Sequence, residues 1–445
     1  MLPAVRLLLG LLLPALPAVL SSAHPAVVAG PYAGYILPRE ASLVVDTAEE
    51  AVVTAELRSP DDPDARQSRT VITDADNGFR AIFLFSGLRA DTRYTYGISI
   101  NGEPPTEALR GAFRTPPPPL EVAPERPLRV AFVGARHPAA PGVPPEQNAL
   151  PALADSRVDG VIWTGGQQPV DRQSTPTADG LRRQYRTLFE EPDLAPLLRN
   201  TAQYSVWSRY EAGHPRSGNR WIHRAGATDA FCKSLPRTVC GHPGFGGTAS
   251  QVRLGPAEFF FLDAVSFHRS AGTGAPAAFG ETQLAWLLDA LEASDAPFRV
   301  VIAGRSLLTP VDQGHTWQFA RAERNGFLEA LRAAAVPGVF LVTGAAPEGE
   351  MTRISRTGAY PLHELSLGPV RSGGAPETSR PALNYDRMPG TRVDTAHFAV
   401  AEFGSDRGEP SMRITVIDAA GESLWRDTFR ASELRQREAS QRSTP

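Results

Sequence analysis

The chain has 445 residues, 42% hydrophobic and 21% charged, the balance of a globular protein with room for two or more cores. Its formal net charge of −3 at pH 7 excludes a nucleic-acid binder that works through a broad basic surface. Lys233 is the only lysine, so nearly all positive charge is guanidinium. With so much Ala, Gly and Pro, this reads as the codon usage of a G+C-rich genome.

Residues 1–23 carry Arg6, the run LLLGLLLPALPAVL, and then Ser21-Ser22-Ala23. A charged start, an apolar core and small residues before the cut predict a secretory signal cleaved after Ala23. Pro14, Pro17 and the shortness of the run argue against a retained anchor, and no cysteine follows that would accept a lipid. The mature chain is expected to be exported, periplasmic or extracellular, with no stable membrane span. Cys232 and Cys240 are the only cysteines. In an oxidising compartment they predict a disulfide worth roughly 2–3 kcal/mol by the chain-entropy model. A metal or catalytic role is the alternative, but neither cysteine lies on a strand-end turn.

Residues 24–115 read as a β-sandwich. Ala51–Leu57 and Tyr94–Ile100 alternate or run apolar, separated by turns such as SPDDPD and DADNG. Leu88–Tyr94 has the spelling of an immunoglobulin-like or fibronectin III-like corner, in which a tyrosine hydroxyl bonds back to the upstream backbone. A Pro-rich linker is expected over 116–127. From 128 to 431 strands alternate with helices, an α/β layer pattern. Asp179–Asn200 is helical and broken by Pro192. Phe279–Ser294 places Leu284, Leu287, Leu288 and Leu291 on one helical face, with Trp286 read as core. Phe298–Gly304 is a strand, Arg321–Ala335 a helix, and Phe398–Phe403, Met412–Ile417 and Glu422 onward are closing strands. A polar tail is expected over 432–445.

Four apolar runs end in turns where an α/β fold places its chemistry. They are Arg129–His137, Val158–Asp171, Ala202–Gly213 and Gly338–Met351. No replacement nucleophile is legible, because there is no GxSxG elbow and no strand-end cysteine.

GPYAGY, FGETQLAWLLDALEASDAPFRVVIAG, HTWQFARAERNGFLEAL and YPLHELSLGPVRSG occur in that order. In sequence and spacing they resemble the alkaline phosphatase D-like (PhoD-like) metallophosphatases over nearly the whole mature chain. The resemblance implies an N-terminal β-sandwich joined to a calcineurin-like αββα domain. It also implies phosphoester hydrolysis with iron and calcium at the strand-end turns. The family's turns read Gly-Ser-Cys, Gly-Asp-Asn-x-Tyr-x-Asp, Trp-Asp-Asp-His-Asp and Ser-Gly-Asp-x-His-x-x-Glu.

Here the first turn has Arg136 for the thiolate ligand. The second has Gly166 and Pro169 at the positions of the central Asp and the Tyr, and keeps Asp171. The third has Ser208, Arg209 and Tyr210 for Asp-Asp-His, followed by Glu211. The fourth has Ala345 and Pro347 for Asp and His. His137, Asp171, Glu211, His214 and Glu350 are the only nearby donors, too few for a multi-metal cluster. Asp263 matches a structural position of the family, and the two arginines that follow it there are Val265 and His268. No cofactor is therefore expected.

Carboxylates left without their metals would repel one another, and the changes to Arg136 and Arg209 run in the direction that relieves this. The leading expectation is a pseudoenzyme with a small anionic ligand, phosphate for example. Candidate contacts are Arg136, His137, Gln167, Asp171, Arg209, Tyr210 and Glu211. The competing reading for the two arginines is that they face solvent or pair with Glu211 and Asp171. An active phosphatase or phosphodiesterase with a rebuilt site, and an envelope interaction protein acting through the sandwich, are the alternatives. No protein partner follows from the sequence.

Overall fold

A computed structural model of the chain describes residues 27–119, 126–136, 144–167, 178–189, 191, 193–212, 221–234, 240–270, 274–310, 316–344, 346–371 and 384–436. The expected signal at 1–23 and most of the tail lie outside these residues.

Seven strands form the first layer pair. They are β1 (Val27–Leu37), β2 (Glu40–Thr47), β3 (Ala51–Ser59), β4 (Asp62–Thr73), β5 (Arg80–Ser86), β6 (Arg93–Ile100) and β7 (Arg110–Arg114). Their order is β1-β2-β5 in one sheet and β4-β3-β6-β7 in the other. Alternation makes this a sandwich: in β3 and β6 every second side chain is buried. The corner forms as the spelling predicts, with the Arg89 amide donating to the Tyr94 hydroxyl at 3.0 Å.

β1 also fastens the sandwich to the rest of the chain. Tyr32 donates to the Ser234 carbonyl at 2.9 Å and Tyr204 donates to the Ile36 carbonyl at 2.6 Å. The described part of the Pro-rich stretch is packed down as well. Pro116 and Pro117 are buried, and Arg253 donates to the Pro119 carbonyl at 2.8 Å.

The second half runs β8 (Leu128–Val133), α1 (Leu150–Asp155), β9 (Gly160–Trp163), α2 (Ala178–Phe189), α3 (Ala195–Asn200), β10 (Ala202–Ser205), α4 (Arg209–Ala212) and α5 (Arg224–Ser234). It continues through β11 (Ser250–Leu254), β12 (Ala257–Phe261), α6 (Glu281–Ala293), β13 (Phe298–Ala303), α7 (Arg321–Ala333), β14 (Val339–Thr343), β15 (Glu350–Arg356) and β16 (Ala359–Ser366). It closes with β17 (His397–Asp406), β18 (Glu409–Asp418) and β19 (Ser423–Arg430). Two six-stranded sheets result, β10-β9-β8-β17-β18-β19 and β11-β12-β13-β14-β16-β15. β8, β9 and β10 are mutually parallel, as are β12, β13, β14 and β16.

The sheets face each other across an aromatic core. Phe259 lies 6.4 Å from Phe132 and 5.8 Å from Phe403, and Phe298 lies 5.7 Å from Phe403. Buried on both faces, the central strands are largely apolar: GVIW in β9, VVIA at the end of β13 and VFLV in β14. Trp163, Trp207, Tyr185 and Phe231 fill the outer layer under α1, α2, α3 and α5. α6 and α7 cover the other side. The architecture is a β-sandwich followed by a calcineurin-like αββα layer fold.

α6 buries Leu284, Leu287 and Leu291 as its periodicity predicts, while Leu288 is half-buried and Gln283 fully buried. Gln283 spans back to Asp263, whose amide donates to it at 2.8 Å. Asp263, two residues past the end of β12, accepts from the amides of Thr248, Val265 and Ser266 at 2.8–2.9 Å. It is a structural group. Trp286 is half-buried, set against His242 and Phe245 with ring centroids 5.7 and 5.8 Å away. Cys232 and Cys240 form the expected disulfide.

Candidate functional site

Parallel pairing sends the carboxyl ends of β8, β9, β10, β13, β14 and β16 to one end of the two sheets, where β17 begins. The turns meet there almost backbone to backbone. A methyl group built on Gly134 would run into the carbonyl oxygen of Gly368, and one on Gly344 into Thr164. Gly165, at φ +112°, and Gly304 both press on Ser208, whose Cβ would lie 2.8 and 2.5 Å from added methyl groups. The first positions of these turns thus offer backbone and one hydroxyl, which do not fit the carboxylate, imidazole and thiolate set of a di- or tri-metal cluster. Among the described residues no three His, Cys, Asp or Glu side chains come together as a group able to hold a metal ion.

Around these turns the polar groups are tied off in three networks. In the first, Arg136, only 3% exposed, pairs through its guanidinium with Glu191, and its Nε donates to the Gln167 carbonyl at 3.0 Å. Glu191 also takes Arg371 at 3.0 Å. Solvent is not where Arg136 points; among the described residues its carboxylate partner is Glu191, and Asp171 lies outside them.

In the second network Glu211 accepts from the Gln167 amide at 2.8 Å and the Ser208 amide at 3.0 Å, and its carboxylate meets the Ser208 hydroxyl. Ser208-x-x-Glu211 has the spacing of a capping box for α4, and the half in which the acid takes the amide of the first residue is formed. Glu211 is fully buried, and its carboxylate is taken up by these donors.

Glu364, also fully buried, anchors the third network. It accepts from Ser306 Oγ at 2.9 Å, the Leu307 amide at 3.0 Å, Thr343 Oγ1 at 2.5 Å and Ser366 Oγ at 3.1 Å, as well as the Leu308 amide. His397 completes the floor. Its Nδ1 faces the Thr395 carbonyl at 2.7 Å and its Nε2 accepts from the Gly368 amide at 3.2 Å. That pattern needs the neutral ring protonated on Nδ1, and burial holds its pKa below the usual histidine value. Glu350, one of the spare donors in the sequence, is spent on Arg387 at 2.5 Å and Asn384 at 2.7 Å.

Burial pushes Glu211 up from 4.5 to about 7, against the lowering effect of the hydroxyl and amide donors around it. Between these values the folded state keeps a proton that the unfolded chain has lost. Stability is therefore expected to fall as pH rises from about 4.5 to about 7 and to level off above, by roughly 3 kcal/mol in all. His268 and His363, lowered to about 4 by burial and neighbouring arginines, act with the opposite sign. The Glu211 contribution is isolated by urea midpoints of the parent chain and Glu211→Gln at pH 5 and pH 8. The parent should lose more stability than the variant over this interval; equal losses would refute the assignment.

Of the remaining candidates, Gly166 and Ser208 lie within these turns, Arg209 is half-buried on α4, and Pro347 is exposed. Gln167 is fully buried, and among the described residues neither atom of its side-chain amide has a partner. His137, Pro169, Asp171, His214, Ala345 and the Tyr210 side chain lie outside the described residues. Glu191, Arg371, Glu364 and His397 were not among the sequence candidates.

No family model and no curated protein matches the chain. Among solved structures it is similar to PhoD, with a TM-score of 0.73, 15% identity, and 94% of this chain and 93% of that one covered. It is also similar to the purple acid phosphatase PPD1 from yellow lupin (Lupinus luteus) seeds, with a TM-score of 0.65 and 12% identity. That match covers 91% of this chain and 75% of the other. The fold is that of the PhoD-like metallophosphatases.

Proposed function

We propose that this chain is an exported protein that keeps a phosphatase scaffold, has lost metal-dependent phosphoester hydrolysis, and holds a small anion at the former ligand turns. The observation that carries the reading is the buried Arg136–Glu191–Arg371 network at the first turn. A fixed guanidinium stands where the resemblance implies a thiolate ligand, and the adjoining turns present glycine and serine. A buried arginine beside a metal cluster would oppose its charge, whereas arginine suits phosphate or carboxylate without a metal. The side-chain amide of Gln167, without a partner among the described residues, supports an anion contact at the same turn. Export is supported by the leader-like first residues and by the disulfide. No helix among the described residues is long and apolar enough to cross a membrane.

Calorimetry with inorganic phosphate and with bis(p-nitrophenyl) phosphate tests the anion reading. Arg209→Ala should weaken binding about tenfold, the loss of one charge-assisted contact. Identical isotherms for parent and variant would remove the anion, and leave the loss of metal chemistry to its own test.

A further inference from the structure

Far from the strand-end turns, the edge hairpin β15–β16 of one sheet and the edge strand β19 of the other frame a cleft of about 850 Å³. That volume suits a small organic molecule. Its wall is held in place because Gln436 donates to the Gly358 carbonyl at the tip of the hairpin. His363, 8% exposed, lines the cleft. Its ring lies parallel to Phe340 at 6.2 Å and edge-on to Phe429 at 5.0 Å. Nδ1 is buried and, among the described residues, has no hydrogen-bond partner, which native interiors rarely leave so.

Charge points the same way. Arg353 is directly opposite His363 in the β15–β16 register, and Arg435 stands on the facing wall. Neither guanidinium has a carboxylate partner among the described residues. Of the two acids in the lining, Glu433 is taken by Arg430 at 3.1 Å. Among the described residues Asp427 accepts only from the Thr428 amide, at 2.8 Å. Among the described residues, two guanidiniums without a carboxylate partner thus line the cleft together with one acid that has no cationic partner and a histidine whose buried Nδ1 has no hydrogen-bond partner.

We propose that this cleft is a second binding site, for a hydroxylated organic anion of sugar-acid or sugar-phosphate size. The anionic group pairs with Arg353 and Arg435, a hydroxyl is accepted by Asp427, and the ring nitrogen of His363 takes another. Burial and the Arg353 charge keep that histidine neutral, so it has both a donor and an acceptor nitrogen to offer.

Calorimetry on the full chain with D-glucuronate, D-glucose 6-phosphate and uncharged D-glucose tests the proposal. Saturable heat is expected with the two anions and none with glucose. The double variant Arg353→Ala/Arg435→Ala should weaken anion binding at least tenfold with its urea midpoint unchanged. In the unaltered chain, the His363 ring signals in the NMR spectrum should shift along the same saturation curve. Absence of saturable heat, equal binding by the double variant, or unmoved His363 signals would overturn the proposal. Loss of binding in Arg209→Ala instead would put the anion at the strand-end turns, and overturn it too.

Discussion

Glu364→Ala should destabilise the protein by about 4 kcal/mol, the cost of stranding buried amides at about 1–3 kcal/mol each. The carboxylate receives two backbone amides, Leu307 and Leu308, which cannot turn elsewhere. Its three hydroxyl donors have alternatives: Ser306 lies 2.6 Å from Thr309, and Thr343 lies 3.1 Å from Ser366. The loop after β13 is gripped from the other side by Arg324, which donates to the carbonyls of Leu307 and Leu308 at 2.8 and 3.0 Å. Arg324 is also coupled to the Glu364 charge. Glu364→Gln keeps one acceptor and should cost about half as much. Urea unfolding measures both, and a midpoint shift for Glu364→Ala no larger than that of a surface substitution would contradict this account of the network.

Gly134→Ala should cost about 3 kcal/mol or more, at the upper end of overpacking effects. The obstacle is the carbonyl oxygen of Gly368 with that of Leu367 behind it, at 3.2 Å from the added methyl group. Backbone on both sides leaves no flexible side chain to yield. The displacement would also pull on Arg136 and Arg371, which sit two and three residues beyond the two touching glycines and share Glu191. Gly326→Ala in α7 is the control. Nothing lies within 4 Å of its added methyl group, so it should stabilise the helix by about 0.5–1 kcal/mol. Equal midpoints for the two variants would show that the close approach of the turns is not what the chain depends on.

The fold was legible where burial is two-sided. Gly160–Trp163 and Val300–Ala303 are apolar without interruption because sheet partners and layers cover both faces, and their turns follow directly. The residues that fill the strand-end turns were legible too, since identity at a strand end is a local property. What holds those turns was not. Glu191 meets Arg136 across 55 residues and Arg371 across 180, and nothing in its own surroundings distinguishes it from a solvated helix-end acid. Glu364 sits within the quoted YPLHEL run, yet only the fold shows that an acid on a buried strand is there to collect amides. Ser208-x-x-Glu211 has capping-box spacing at a position where the family resemblance implies a ligand group, and in the structure the Glu211 carboxylate closes the turn on the Ser208 and Gln167 amides. The Trp317…Glu323-Arg324 pattern has a similar explanation: Glu323 collects the amides of Ala278 and Gly280 and the Trp317 indole, each at 2.7 Å.

A scaffold shared with PhoD and a purple acid phosphatase, combined with turns filled by Arg136, Gly166, Ser208 and Arg209, makes metal content the decisive quantity. Elemental analysis of natively purified full-length protein, assayed in parallel for phosphomonoesterase and phosphodiesterase activity with and without chelator, measures it. The account predicts iron and calcium far below one per chain and no chelator-sensitive hydrolysis. Stoichiometric metal together with hydrolysis that chelation abolishes would contradict it.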